Sequence, residues 1–132
     1  MSKVIVTGSC GLVGSESVKF FINKGFQVVG IDNNKRKFFF GNDGDTSKTK
    51  KNLLKLKNYQ HYNVDIRNKS NMQKIFKKYK KNIKLIIHAA AQPSHDWAKN
   101  FPDIDFEINA QATLELLKCT KKYCPKSVFI FM

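Results

Sequence analysis

Hydrophobic residues along the chain follow two rhythms, short unbroken runs and longer stretches in which apolar positions return every three or four residues. The runs are Val4 to Val6, Val28 to Ile31, Leu85 to Ile87 and Val128 to Phe131, with a weaker one at Tyr62 to Val64. A strand with one wet face alternates, so unbroken runs suit strands covered on both faces. Between the runs, Gly14, Val18, Phe21 and Ile22 share one helical face ahead of Gly25. Met72, Ile75, Phe76 and Tyr79 repeat that spacing, with Ser70 and Gln73 placed to form a capping box. Ile108, Ala112, Leu116, Cys119 and Tyr123 mark a third, longer helix, which Pro125 cannot continue. Right-handed crossovers turn this β-α-β-loop-β-α-β-α-β order into an α/β fold, a doubly wound parallel sheet of the Rossmann type with strand order 3-2-1-4-5. Residues 33–52 show neither rhythm and are predicted to form a long irregular connection, anchored by Phe38, Phe39 and Phe40.

Composition narrows the class. A length of 132 residues with no linker or internal repeat fits one domain, taken as residues 1–132. Hydrophobic content of 42% without a long apolar run excludes a spanning helix, and Met1-Ser2-Lys3 leads straight into the first strand, so a cytoplasmic location is expected with no membrane partner. Cys10, Cys119 and Cys124 are odd in number and lack C-x-x-C spacing; buried free thiols are expected rather than disulfides or a metal site. The net charge of +14 is the footprint of a nucleic-acid binder. Yet the only arginines are Arg36 and Arg67, the lysines are scattered over solvent-facing positions, and no recognition motif accompanies them, so no nucleic-acid partner is expected.

Chemistry concentrates where the first run meets Gly8, Gly11 and Gly14. Gly8 suits a tight turn, Gly11 lets main chain approach a pyrophosphate, and Gly14 lets the next helix, from Leu12 and Val13 onward, pack against the strand with its N–H groups facing the anion. Asp32 ends the next run 18 residues after Gly14 and is placed to accept the hydroxyls of an adenosine ribose, which favours NAD. Lys35, Arg36 and Lys37 follow and can hold a 2′-phosphate, which leaves NADP as the alternative. Asp65 ends the third strand, either to meet the adenine amino group or to serve the helix after Asn68. The fourth run leaves through His88-Ala89-Ala90-Ala91-Gln92-Pro93, whose small side chains let a cofactor lie against main chain. His88 reads as a packed strand residue. Ser94, His95, Asp96 and Trp97 read as a loop, either facing nicotinamide and substrate with His95 or Asp96 moving a proton, or bonded to itself with Trp97 against the sheet. The phenylalanine cluster is placed near the adenosine end, as functional wall or plain anchor.

Thr7-Gly8-Ser9-Cys10-Gly11-Leu12-Val13-Gly14, Asp32-Asn33, Asp65-Ile66-Arg67, His88-Ala89-Ala90 and Asn109 within Ile108 to Thr113 resemble the extended short-chain dehydrogenase/reductase superfamily over essentially the whole chain. Within it, Arg36 to Gly44 and Ala90 to Trp97 are similar to the NAD-dependent nucleotide-sugar epimerases related to the CDP-paratose 2-epimerases. The resemblance implies NAD as cofactor, held by Gly8, Gly11, Leu12, Val13, Gly14, Asp32, Asn33, Arg36, Asp65, Ile66, Ala89, Ala90 and Ala91. It also implies a nucleotide-sugar substrate, a CDP-sugar by the closer likeness, and a homo-oligomeric full-length protein. Ala112 stands where the family usually has Gly.

Members of that superfamily take their catalytic groups from a Ser or Thr after the fifth strand and from a later Tyr-x-x-x-Lys. Here Tyr59, Tyr62, Tyr79 and Tyr123 are followed four places on by Asn63, Ile66, Ile83 and Ser127. No catalytic residue is therefore assigned within the chain, which is expected to be the inactive, cofactor-binding amino-terminal portion of a longer epimerase. A dehydratase or dehydrogenase of nucleotide sugars shares every motif present, and a non-catalytic nucleotide-binding module is the reading from another class.

Overall fold

A computed structural model describes residues 1–132. Five parallel strands, β1 (Lys3–Thr7), β2 (Gln27–Ile31), β3 (Tyr59–Tyr62), β4 (Ile83–His88) and β5 (Val128–Phe131), form one sheet in the order β3-β2-β1-β4-β5. This is the order expected from right-handed crossovers. The unbroken runs of β1 and β2 have the expected cause, burial on both faces: Ile5, Val29 and Ile31 face one core cluster while Val4, Val6 and Val28 face the other; the Val128 to Phe131 run departs from it, with Val128, Ile130 and Phe131 exposed.

Helices α1 (Leu12–Asn23), α2 (Lys35–Phe40), α3 (Ser47–Leu53), α4 (Lys69–Tyr79), α5 (His95–Asn100), α6 (Pro102–Phe106) and α7 (Ala112–Tyr123) complete the layers. Val18 of α1 and Leu53 of α3 cover one face of the sheet; Met72, Ile75 and Phe76 of α4 and Leu116 and Cys119 of α7 cover the other. The α1 helix closes at Gly25 through Phe26 N–H to Phe21 O and Gly25 N–H to Ile22 O, the paired bonds of a Schellman motif. The outer edge of β5 is open, with Val128 59% and Phe131 63% exposed.

Four expectations need correction. Residues 33–52 are not irregular: α2, a tight turn at Gly41–Gly44 and α3 occupy them. Their organiser is polar, because the Asn34 side chain donates to Asp45 Oδ1 (3.0 Å) and accepts from the Thr46 N–H (2.9 Å), and hydropathy does not register such bonds. The third strand lies three residues before the weak apolar run, at Tyr-Gln-His-Tyr. Its tyrosines bury rings while their hydroxyls are satisfied, Tyr59 by Ser9 Oγ (3.0 Å) and Tyr62 by Tyr79 (2.7 Å). Asp65 thus lies beyond the strand. The capping box at Ser70 and Gln73 is not formed; Asn68 caps α4 instead, its Oδ1 accepting the Asn71 N–H at 3.0 Å. Finally, the third long helix is interrupted, with residues Glu107–Gln111 forming a wider π-type turn before α7.

Candidate dinucleotide site

The carboxyl ends of β1, β2 and β4 open into one cleft of about 350 Å³. Its floor is the glycine turn. Gly8 has φ +66°, and a β-carbon there would lie 2.7 Å from Ala90 N. At Gly14 a β-carbon would lie 2.0 Å from Gly8 O, so α1 can sit this close to β1 only without a side chain. A β-carbon on Gly11 would meet nothing nearer than Gly8 O at 3.4 Å, because this position faces the open cleft. Gly11 starts α1 with no side-chain cap, and the N–H groups of Leu12, Val13 and Gly14 have no acceptor in the chain. Those unpaired donors and the positive end of the helix dipole make this floor attractive to an anion.

Asp32 forms the next wall. Its Oδ2 accepts the Cys10 N–H (3.0 Å) and its Oδ1 the Asn34 N–H (2.8 Å), which fixes the carboxylate plane and leaves one acceptor position on each oxygen. Cys10 is buried beside it, and burial together with the Asp32 charge pushes its thiol up to about 11, so it stays protonated and unreactive. Asp65 also lines the cleft but is already engaged: Arg67 donates Nη2 to Oδ2 (2.8 Å), and its own N–H to Oδ1 (2.9 Å). Burial pulls the Asp65 carboxyl upward, yet the Arg67 hydrogen bonds and charge, aided by Lys35, hold it below the ordinary value. Arg67 reaches on to Glu107 Oε2 (3.1 Å), tying this wall to the turn before α7. The neighbouring Ile66 N–H has no acceptor in the chain.

The third wall is Ala89-Ala90-Ala91, held from beneath by a buried relay. The Ala90 N–H donates to Thr7 Oγ1 (3.2 Å), and the Thr113 hydroxyl donates to Asn109 O (2.8 Å). With those ends fixed, Thr7 Oγ1 donates to His88 Nδ1 (2.6 Å) and His88 Nε2 donates to Thr113 Oγ1 (2.8 Å). His88 is therefore the neutral Nε2–H tautomer, and burial lowers its pKa to about 4. It is a structural residue, as its strand position implied. Asn109 closes the same wall, accepting the Gln92 N–H (2.8 Å) and donating to Gln92 O (3.0 Å).

Every residue expected from sequence to touch a cofactor, from Gly8 to Ala91, lines this one cleft. The lining also includes Lys35 and Phe39, which the sequence had placed near the adenosine end, together with Ile31, Thr46, Val64, Pro93 and Ile108. Thr46 has no local signal, since it arrives through a fold of chain held by polar bonds that hydropathy does not register; Ile108 is legible as a helix position but not as part of the cleft. Residues 94–97 are not a free loop: Ser94 caps α5, its Oγ accepting the Trp97 N–H at 3.3 Å. His95 and Asp96 are exposed and lie outside the cleft lining. Trp97 does not rest against the sheet but on Phe38, Phe39 and Phe101, with ring centroids 5.1, 5.1 and 4.6 Å away.

An open parallel sheet whose carboxyl edge carries a glycine turn, free helix N–H groups and a fixed carboxylate defines a dinucleotide-binding α/β protein. The chain belongs to the NAD dependent epimerase/dehydratase family, whose profile matches residues 4–132. It is 32% identical over 121 residues to CDP-paratose 2-epimerase of Salmonella typhi, covering 92% of this chain and 33% of that protein. It is 30% identical to UDP-glucose 4-epimerase of Pisum sativum, covering 96% and 35%. The fold superposes on Thermotoga maritima UDP-glucose 4-epimerase, solved with UDP-glucose, with a TM-score of 0.78 at 27% identity, over 98% of this chain and 37% of that one. Thermus thermophilus UDP-glucose 4-epimerase, solved with NAD, gives 0.72 at 26% identity, over 92% and 34%. The chain thus spans about a third of the length of the curated relatives it matches.

Proposed function

We propose that this chain is the NAD-binding portion of a cytoplasmic nucleotide-sugar epimerase acting on a CDP-sugar. The observation that supports it most is the convergence, in one cleft, of the free N–H groups of α1 and the two remaining acceptor positions of Asp32. The glycine floor fits a pyrophosphate, since Gly11 leaves the space that a side chain would fill. Asp32 receives the adenosine ribose hydroxyls and would repel a 2′-phosphate. The Ile66 N–H and the Asp65 rim meet the adenine, and Ala89 to Ala91 let the rest of the dinucleotide lie against main chain. When bound, NAD supplies a hydride acceptor and donor, while the protein supplies position. The acid and base of the reaction would come from the family's Ser or Thr and Tyr-x-x-x-Lys, which have no counterpart among these residues. The CDP-sugar assignment is supported by the likeness to CDP-paratose 2-epimerase; relatives at nearly the same identity are UDP-glucose 4-epimerases. A reducing location is supported by three buried, free cysteines.

Calorimetric titration with NAD and NADP tests the assignment. NAD is expected to bind more tightly, and Asp32→Ala to lose most of that preference; tighter NADP binding by the unaltered chain would reject it. Incubated with NAD and CDP-paratose, the chain alone is expected to give no isomerisation by NMR. Turnover would show that a residue outside the family's catalytic pair does the chemistry.

A further inference from the structure

Two segments that each contribute to the cleft lining, one through Phe39 and Thr46 and the other through Pro93 and Ile108, are built separately. Residues 33–47 are tied to one another through Asn34, Asp45 and Lys37, whose ammonium meets Asp45 at 2.8 Å. Residues 92–109 are tied together through Gln92, Asp105 and Asn109. No hydrogen bond or ion pair joins one segment to the other. Their connection is aromatic: Trp97, the chain's only tryptophan, reaches from α5 to Phe38 and Phe39 of α2, and Phe101 backs it at 4.6 Å. Phe39 of the first segment and Pro93, at the approach to α5 in the second, both line the cleft, and Trp97 and Phe38 lie behind that lining.

We propose that Trp97 with Phe38 and Phe39 is a clasp across the cleft mouth that sets how fast the dinucleotide leaves. The clasp rests on the NAD reading for its gating role but not for its existence. Aromatic contacts suit such a device, because each is of modest strength and loses no directed bond when it parts. The polar networks on either side keep each wall in shape while the gap between them opens. The phosphate floor and Asp32 then hold the ligand, and the clasp governs exchange.

Two measurements on the whole chain test this. Without any cofactor, acrylamide quenching of the Trp97 fluorescence should be weak, and Phe38→Ala should raise the quenching constant about twofold or more, as expected when an aromatic neighbour is removed. With NAD, stopped-flow displacement should give a dissociation rate about tenfold faster for Trp97→Ala, the product of several lost aromatic contacts, with Trp97→Phe near the unaltered rate. Circular dichroism establishes that each variant is folded; if Trp97→Ala is not, Phe38→Ala carries the rate comparison. Unchanged dissociation rates in folded variants overturn the gate. A Trp97 as quenchable as a free indole overturns the clasp itself. A chain that binds no NAD overturns the site assignment and the gating role together, and the quenching comparison still decides whether the clasp exists.

Discussion

The floor of the cleft and its mouth are held by different forces. At the floor, main chain touches main chain: Gly14 lies where a β-carbon would be 2.0 Å from Gly8 O, and Gly8 where one would be 2.7 Å from Ala90 N. At the mouth, side chains from segments some 60 residues apart in sequence, Phe38 and Trp97, meet across 5.1 Å with no polar bond between them. Backbone packing at van der Waals distance has no soft coordinate, whereas two aromatic faces separate at small cost. A site built this way holds the geometry of its floor more rigidly than that of its entrance.

If that contrast is right, substitutions should fall steeply in effect from floor to mouth. Gly14→Ala is expected to cost about 4 kcal/mol in urea unfolding, because neither partner of the clash is a side chain that can turn away. Gly11→Ala, three residues earlier, should cost less than about 1 kcal/mol yet weaken NAD binding, since its methyl enters the cleft rather than the protein. Equal costs at the two positions would dissolve the distinction between packing glycine and ligand-facing glycine.

The relay beneath the Ala89 to Ala91 wall gives the next effect, read through pH. His88 has its pKa lowered from 6.5 to about 4 by burial, so the unfolded chain takes up a proton in this range that the folded chain refuses. Stability from this group is complete above pH 6.5, falls as the pH drops towards 4, and is level below that. The full loss is about 3 kcal/mol. His61 shifts in the same direction through burial and then Lys50, so the informative quantity is the difference from His88→Asn, which should flatten the slope. Parallel pH profiles for the two proteins would show that His88 titrates normally.

Smaller effects belong to the mouth. Asn109→Ala removes the acceptor for the Gln92 N–H and should cost about 1 to 3 kcal/mol by the same unfolding assay. Phe38→Ala, at a ring 59% exposed, should cost under about 1 kcal/mol of stability while still loosening Trp97. A loss at Phe38 as large as that at Gly14 would mean the mouth is as rigid as the floor.

The same contrast decides what could be read from sequence. The floor was legible because its rules are local: glycines at Gly8, Gly11 and Gly14 behind an apolar strand, and an acid where the next strand ends. Sheet order followed from the unbroken runs. The mouth was not legible, because α2 and α3 are held by Asn34, Asp45 and Thr46 bonding to one another, and the start of α5 by Gln92 bonding to its cap Ser94. Such bonds are invisible to hydrophobic periodicity. The polar third strand, Tyr59–Tyr62, was misplaced for a related reason, since its buried rings carry hydroxyls paired elsewhere in the fold. For Trp97 the sequence leaves open a loop facing the substrate or packing against the sheet, and its partners Phe38 and Phe39 lie in a segment read as irregular, so its contact with them could not be derived.

The central claim, that this cleft takes a dinucleotide with its pyrophosphate on the glycine floor, is tested most directly by amide NMR of the labelled chain during titration with NAD. Saturable shifts are expected first at the N–H groups of Gly11, Leu12, Val13 and Gly14, then at Cys10 and Asn34 on the Asp32 carboxylate, with Ile66 and Ala89 to Ala91 following and the lysine-rich outer faces of α4 and α7 unmoved. Shifts confined to those lysine faces, or none at millimolar NAD, would contradict the account.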